Sequence, residues 1–298
     1  MTAYQDLIRP EIINSIEGLE LVSKVVVDNF FHGLNRSRNV GSGQEFSQYR
    51  SYEPGDDLRL LDWKMLARST RYYIRQSEID TNIAVKFIID ATRSMEHTEG
   101  GVSKIDFAKL IAASIGYLAQ NQGDDLGLHS IGELSNVIVL PKMDKQHFSR
   151  FLYGLIKIDC SGKWPELDRI EKQLHSRKEK ELLVFITDFH EQDSELFQFI
   201  SRQKTPRNEV VALQLIGQKE LELNYEQMVS LEDLETGEVI RLNPDEVQKA
   251  HIQTIENKYN RLKKELLNKQ VEYHRMRLDD PLEGSLMAFL KTRNRLVR

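Results

Sequence analysis

Cysteine is nearly missing from this sequence. Cys160 stands alone among 298 residues, so no internal disulfide can form and a reducing compartment is expected. Long apolar runs are missing as well: the most apolar stretches, residues 83–89 and 182–186, fall well short of the ~20 residues that cross a bilayer. The amino terminus does not read as a charged segment ahead of an apolar signal core. These absences point to the cytoplasm, with any membrane association supplied by a partner. Charge of one sign is not gathered into blocks, and the net charge is −5, which favours neither nucleic acid nor an anionic membrane as partner. Signatures of enzymes are lacking too: there is no G-x-x-x-x-G-K-[ST] phosphate loop, no G-x-S-x-G elbow and no C-x-x-C pair. Of the eight histidines, no two stand at the i, i+4 spacing of a helical metal site. No internal repeat or low-complexity tract is present.

What is there suits a globular chain, with 40% hydrophobic and 29% charged residues. Apolar residues from Leu7 to Val26 recur at helical spacing, giving one or two amphipathic helices broken near Pro10 or Gly18. Residues 33–57 are irregular and end in the turn signal Pro54-Gly55-Asp56-Asp57. Beyond residue 80 the pattern changes. Residues 83–90 and 181–188 are nearly continuous β-formers, as strands covered on both faces should be. Further strands are expected at 72–79, 125–131, 137–140 and 209–216, and helices at 105–118, 148–156, 167–174 and 196–203. After Gly217 come a hairpin turning at Thr236-Gly237, a long charged helix over 244–270, an edge strand over 271–278 and a closing helix over 286–296. In that long helix Ile252, Ile255, Tyr259, Leu262 and Leu266 form one stripe for the sheet. Strands alternating with helices define an α/β fold with a mostly parallel sheet and helices on both faces. The expected division is an N-terminal helical and irregular extension over 1–80 and the sheet domain over 81–298.

Two of the buried strands end in aspartate, Asp90 and Asp188. In an open parallel sheet ligands bind beyond the carboxyl ends of the strands, where chain order reverses. Neighbouring strands would bring both carboxylates to one crevice, and Thr92 and Ser94 follow Asp90 within one tight loop. Such hard oxygen donors suit Mg²⁺ first, with Mn²⁺ or Ca²⁺ as alternatives, far better than zinc. The plainer reading is that each aspartate only caps a helix or forms a turn. For Asp56, Asp57 and Asp62, interleaved with Arg59, Lys64 and Arg68, the structural reading is preferred to a phosphodiesterase cluster: a turn, a helix cap, ion pairs, and Trp63 packed inward.

The segment Asp90-Ala91-Thr92-Arg93-Ser94 resembles the D-x-S-x-S loop of the metal-ion-dependent adhesion site of von Willebrand factor A domains, with threonine for the first serine. Thr187-Asp188 resembles the aspartate-bearing strand end of the same site. The run Tyr49-Arg50-Ser51-Tyr52-Glu53-Pro54-Gly55-Asp56-Asp57-Leu58-Arg59-Leu60-Leu61-Asp62-Trp63-Lys64 resembles the signature of the bacterial domain-of-unknown-function family fifty-eight. His32-Gly33-Leu34-Asn35-Arg36-Ser37 before it, and Pro281-Leu282 with Leu286, Phe289-Leu290 and Arg293 near the end, fit the same family. The resemblance implies a von Willebrand A-like fold and work beside a MoxR-type AAA ATPase in assembling or maturing other complexes, and it carries no implication of an enzymatic activity. It also implies a cation site, Asp90, Thr92, Ser94 and Asp188, whose last position is filled by a partner's acidic side chain. The family's further threonine is replaced here by Lys163, in the turn Cys160-Ser161-Gly162-Lys163-Trp164-Pro165. Two consequences stay open: Ser161 supplies the missing hydroxyl, or the Lys163 ammonium replaces the metal. The expected function is a non-enzymatic interaction module or co-chaperone that grips an acidic group through the cation. The alternatives are a metal-dependent hydrolase in the same crevice and a scaffold with a metal-free site.

Overall fold

The computed structural model describes residues 8–37, 48–53, 61, 63–69, 71–76, 82–133, 136–142, 144, 146–165, 174, 180–190, 195–222, 229–232, 239–242, 244–282, 284, 286 and 290. It divides into two units, Met1–Gly33 with Asn82–Arg298, and Leu34–Thr81. The helices before Gly33 therefore go with the sheet and not with the irregular segment that follows them.

Pro10 opens α1 (Pro10–Ile13), where its missing N–H is no loss. The break before α2 (Ile16–Ser37) falls at Asn14 and Ser15, not at Pro10 or Gly18. Ser15 makes that junction: its Oγ donates to the Ile12 carbonyl at 2.9 Å and accepts from the Gly18 N–H at 3.1 Å. Gly18 then lies in the first turn of α2, where a Cβ would come within 2.2 Å of the Ile12 carbonyl oxygen.

In the smaller unit β1 (Gln48–Ser51) precedes α3 (Trp63–Ser69) and pairs antiparallel with β2 (Tyr73–Gln76). Tyr52 and Tyr72 face each other beyond the pairing, ring centres 6.1 Å apart. The inward packing expected of Trp63 is not found. Trp63, the first residue of α3, is 64% exposed, and the buried apolar side chain just before the helix is Leu61. The expected caps at Asp56 and Asp57 lie outside the described residues.

The larger unit is built on β3 (Ala84–Asp90), all seven residues of which are buried. A 3₁₀ turn follows at Arg93–Glu96, then a tight hairpin of β4 (Thr98–Glu99) and β5 (Val102–Ser103). Gly100 and Gly101 form its two-residue loop with φ of 59° and 83°. Positive φ at both positions is what such a hairpin loop demands, and glycine adopts it without strain. Next come α4 (Lys104–Asn121), β6 (Asp125–Ile131), β7 (Ile138–Lys142), α5 (His147–Ile156), β8 (Glu181–Thr187), α6 (Glu195–Gln203) and β9 (Asn208–Ile216). The remainder comprises α7 (Gln218–Glu222), the antiparallel pair β10 (Val229–Glu232) and β11 (Val239–Leu242), α8 (Pro244–Asn268) and β12 (Glu272–Arg277). Of the helix expected over 167–174 only Leu174 is described, buried and in a bend, and the turn at Thr236-Gly237 lies outside the described residues. So does most of the closing helix, of which Leu286 and Leu290 are described, helical and buried.

The central sheet runs β12-β9-β8-β3-β6-β7, parallel throughout except for β7. At its centre both faces are covered, which is why β3 and β8 read as nearly unbroken apolar runs. On one face Phe87 meets Phe151 of α5 with ring centres 5.3 Å apart. Gly116 of α4 permits that contact, because a Cβ there would stand 2.9 Å from the Phe151 ring. On the other face Phe185 meets Phe199 of α6 edge-on at 5.9 Å, and Leu266 of α8 is fully buried in the same cluster.

Polar groups also lie within the sheet. Lys86 and Glu181 pair at 2.8 Å, their side chains 4% and 1% exposed. Burial, reinforced by the charge of Lys86, lowers the pKa of His129 to about 4. His129 is 4% exposed. An imidazole depressed below its ordinary ~6.5 contributes stability above that pH, and the contribution is lost as pH falls through about 4. Urea unfolding of wild type and His129→Phe from pH 7.5 to 4 should show the variant losing less stability, by up to ~3 kcal/mol in the difference curve. Parallel curves would refute this account.

Candidate cation site at the strand ends

Chain order reverses at β3: the chain leaves it for β6 on one side and returns at β8 on the other. Asp90 ends β3 and Asp188 directly follows β8, so the two aspartates stand at the switch point of the sheet. Each is 5% exposed, as is Ser94, and Thr92 is 3% exposed. The structure thus brings together Asp90, Thr92, Ser94 and Asp188 as the strand-end argument expects.

The loop after β3 is held from both sides. Ala91 N–H donates to the Ile131 carbonyl at 2.8 Å, and the Ala91 carbonyl accepts from Ser161 N–H at 2.9 Å. Arg93 N–H donates to the Gly162 carbonyl at 3.1 Å. The turn carrying Ser161 therefore lies against the site loop by its backbone. Within the loop, Asp90 Oδ1 accepts from Thr92 N–H at 2.9 Å and Thr92 Oγ1 at 2.7 Å. Thr92 Oγ1 and Ser94 Oγ are 3.1 Å apart. Thr187 Oγ1 donates to Asp90 Oδ2 at 2.6 Å, so this hydroxyl also belongs to the site.

Asp188 is fixed through its backbone. Gln214 Nε2 donates to its carbonyl at 3.0 Å, and Tyr273 donates to Gln214 Oε1 from β12. Phe189, next in the chain, has φ of 54°, a left-handed conformation uncommon for an aromatic residue. The N–H groups that follow turn back onto the site: Phe189 N–H donates to Thr187 Oγ1 at 3.2 Å and His190 N–H to Asp188 Oδ1 at 3.1 Å.

The buried cation of the site is Lys104, not Lys163. Its Nζ donates to Asp188 Oδ2 at 2.8 Å and to Glu220 Oε1 at 2.7 Å, with the Lys104 side chain 2% exposed. Lys163 is exposed, and its backbone N–H donates to Glu133 Oε2 at 3.3 Å. The difference is one of position: Lys104 opens α4 beneath the end of β8, whereas Lys163 follows Gly162 on the outer side of a turn with φ of 62°. One signal for Lys104 exists in the sequence. A lysine in the first turn of a helix opposes the helix dipole, so its burial there calls for anions from elsewhere in the fold.

The electrostatics divide the two aspartates. Burial raises the Asp90 carboxyl, and the neighbouring charge of Asp188 raises it further, to about 7, against the opposing hydrogen bonds of Thr187 and Thr92. Burial also pushes Asp188 up, but the Lys104 ammonium outweighs it and holds this carboxyl below its ordinary range. Lys104 in turn is lowered by burial and raised more strongly by Asp188 and Glu220. The donors to Asp90 are neutral hydroxyl and amide groups. Asp188 and Glu220 share the one Lys104 ammonium, and Asp90, beside Asp188, has none, so with every group ionised the cluster carries a formal excess of two negative charges. Hard oxygens with that excess fit a divalent cation of the Mg²⁺ or Ca²⁺ type.

An α/β domain with a mostly parallel sheet, whose carboxylates and hydroxyls gather at the switch point, is the class defined by this fold and site. Residues 48–262 match the family described as a protein of unknown function, DUF58, and the chain belongs to it. Among its relatives, uncharacterized protein Mb1516 of Mycobacterium bovis is 26% identical over 243 residues, which cover 80% of this chain and 76% of that one. Similar solved structures include the conserved hypothetical protein BatB from Bacteroides thetaiotaomicron, 11% identical with a TM-score of 0.44, covering 71% of this chain and 98% of that one. The VWA domain of SpRpn10 is 14% identical with a TM-score of 0.42, covering 72% and 97%. No helix among the described residues is long and apolar enough to cross a membrane.

Proposed function

We propose that this chain is a non-enzymatic protein-interaction module which holds a divalent cation, Mg²⁺ first, at Asp90, Thr92, Ser94 and Asp188, and offers it to an acidic group of a partner protein. The observation that carries the reading is the pairing of two buried carboxylates at the switch point, only one of which has an ammonium beside it. The hydroxyls of Thr92 and Ser94 now serve Asp90, Asp188 and each other, and rotation of their protons frees oxygen lone pairs for a cation. Ser161, whose backbone lies against the same loop, is the candidate for a further hydroxyl. The bound cation would supply the charge that attracts a partner's carboxylate. Asp90 and Asp188 would hold the cation, and Lys104 would orient Asp188. On the family resemblance, a MoxR-type AAA ATPase in the cytoplasm is the partner to test first.

Calorimetric titration with Mg²⁺ and Mn²⁺ should give binding heat for wild type and none for Asp90→Ala. Pull-down of the ATPase should succeed with Mg²⁺ and fail with chelator. The cation reading is abandoned if neither ion gives heat and Asp90→Ala behaves as wild type throughout.

A further inference from the structure

Lys104 touches more than the strand ends. Its second acceptor, Glu220, belongs to α7, and that short helix is tied back to the site by several independent bonds. The other Glu220 oxygen, Oε2, accepts from Gly217 N–H at 2.8 Å, which closes the start of α7. The Glu220 backbone carbonyl accepts from His251 Nε2 of α8 at 2.9 Å. Glu99 of the β4–β5 hairpin accepts from the N–H groups of Gln218 and Lys219 at 2.7 and 2.9 Å. That hairpin leads directly into α4, where Lys104 N–H donates to the His97 carbonyl at 2.9 Å. Gly217 permits this approach: a Cβ there would come 2.2 Å from Glu99 Oε1, and the Glu99 side chain would have to shift. One ammonium therefore joins Asp188, at the strand end, to a helix held by both the site hairpin and α8.

We propose that the Lys104–Glu220 bridge couples occupancy of the strand-end site to the docking of α7 and α8. This coupling rests on the cation reading above and adds its regulation. A divalent cation at Asp90 and Asp188 repels the Lys104 ammonium and competes with it for the charge of Asp188, which shifts Lys104 toward Glu220. The stronger bridge tightens α7 and, through the Glu220 carbonyl and His251, the middle of α8. Coupling between binding equilibria is reciprocal: a partner whose docking on α8 the cation strengthens must strengthen cation binding by the same factor, and loosening α7 or removing the Glu220 charge weakens it. A partner that grips α8 would thereby change the affinity of a site it does not touch.

The test uses the full chain, Mn²⁺ as probe, and Glu220→Gln, a change at a side chain 28% exposed and thus mild for the fold. In wild type, Mn²⁺ should slow amide hydrogen exchange in residues 218–222 and around His251. Glu220→Gln should bind Mn²⁺ about tenfold more weakly, within the usual range of coupling between sites, and should show no such slowing at saturation. Wild-type affinity in Glu220→Gln, or Mn²⁺ binding to wild type without any change of exchange in α7 and α8, overturns the coupling while leaving the cation site standing. Failure of wild type to bind Mn²⁺ at all removes both.

Discussion

Lys104→Met is expected to destabilise the cation-free protein by about 3–5 kcal/mol at neutral pH, the usual loss when one partner of a buried ion pair is removed. The variant keeps the volume of the side chain but leaves Asp188 without its ammonium, beside Asp90, in a site where each carboxylate is 5% exposed. Packing alone would predict far less, since methionine fills irregular gaps well. Urea unfolding in the presence of chelator gives the number, and a loss under about 1 kcal/mol would show that the bridge matters little to stability. Added Mg²⁺ should recover part of the loss, because the cation supplies the positive charge that the substitution removed. Recovery also separates the electrostatic cause from a packing defect, which no metal repairs.

The second large effect is ligand-linked stabilisation. With free Mg²⁺ at about a hundred times its dissociation constant, wild type should gain ~2.7 kcal/mol. For a chain of 298 residues that corresponds to a rise in melting temperature of roughly 4 °C. Asp90→Ala should show no rise, because Asp90 is the carboxylate with no ammonium beside it and its loss removes most of the attraction for a cation. Thermal unfolding with and without Mg²⁺ measures both. An equal rise in the two proteins would place any bound ion elsewhere.

Much of the fold is legible because its causes are local. β3, β8 and β9 are covered on both faces and their sequences are continuous apolar runs; α4 and α5 carry helical periodicity; and α8 shows its stripe, with Ile255, Tyr259 and Leu262 partly buried and Leu266 fully so. Four residues of the candidate site are legible for a related reason, since a carboxylate at the end of a buried strand has few places to go. The bridge is not legible in that way. Lys104 lies 84 residues from Asp188 and 116 from Glu220, and no local pattern announces either pairing. Lys163 is the natural suspect by sequence position, yet the turn at Gly162 leaves it exposed. Trp63 is missed for the opposite reason. An indole in a run of charged residues suggests a buried anchor, but whether a small unit can cover it depends on packing and not on composition. The break between α1 and α2 likewise turns on one hydroxyl, that of Ser15, whose competition with the helix backbone outweighs both Pro10 and Gly18.

The left-handed backbone at Phe189 bears on how quickly the strand end can respond. Such a conformation costs roughly 1–2 kcal/mol and persists only where its surroundings dictate it, here through Gln214 on the Asp188 carbonyl and the buried Phe189 ring. With its main chain locked, Asp188 would have little orientational freedom left to surrender to the proposed cation, since the entropy of ordering it has been spent during folding. Docking at this rim should then resemble the closing of a rigid socket, with a small ordering penalty and little lag from loop rearrangement.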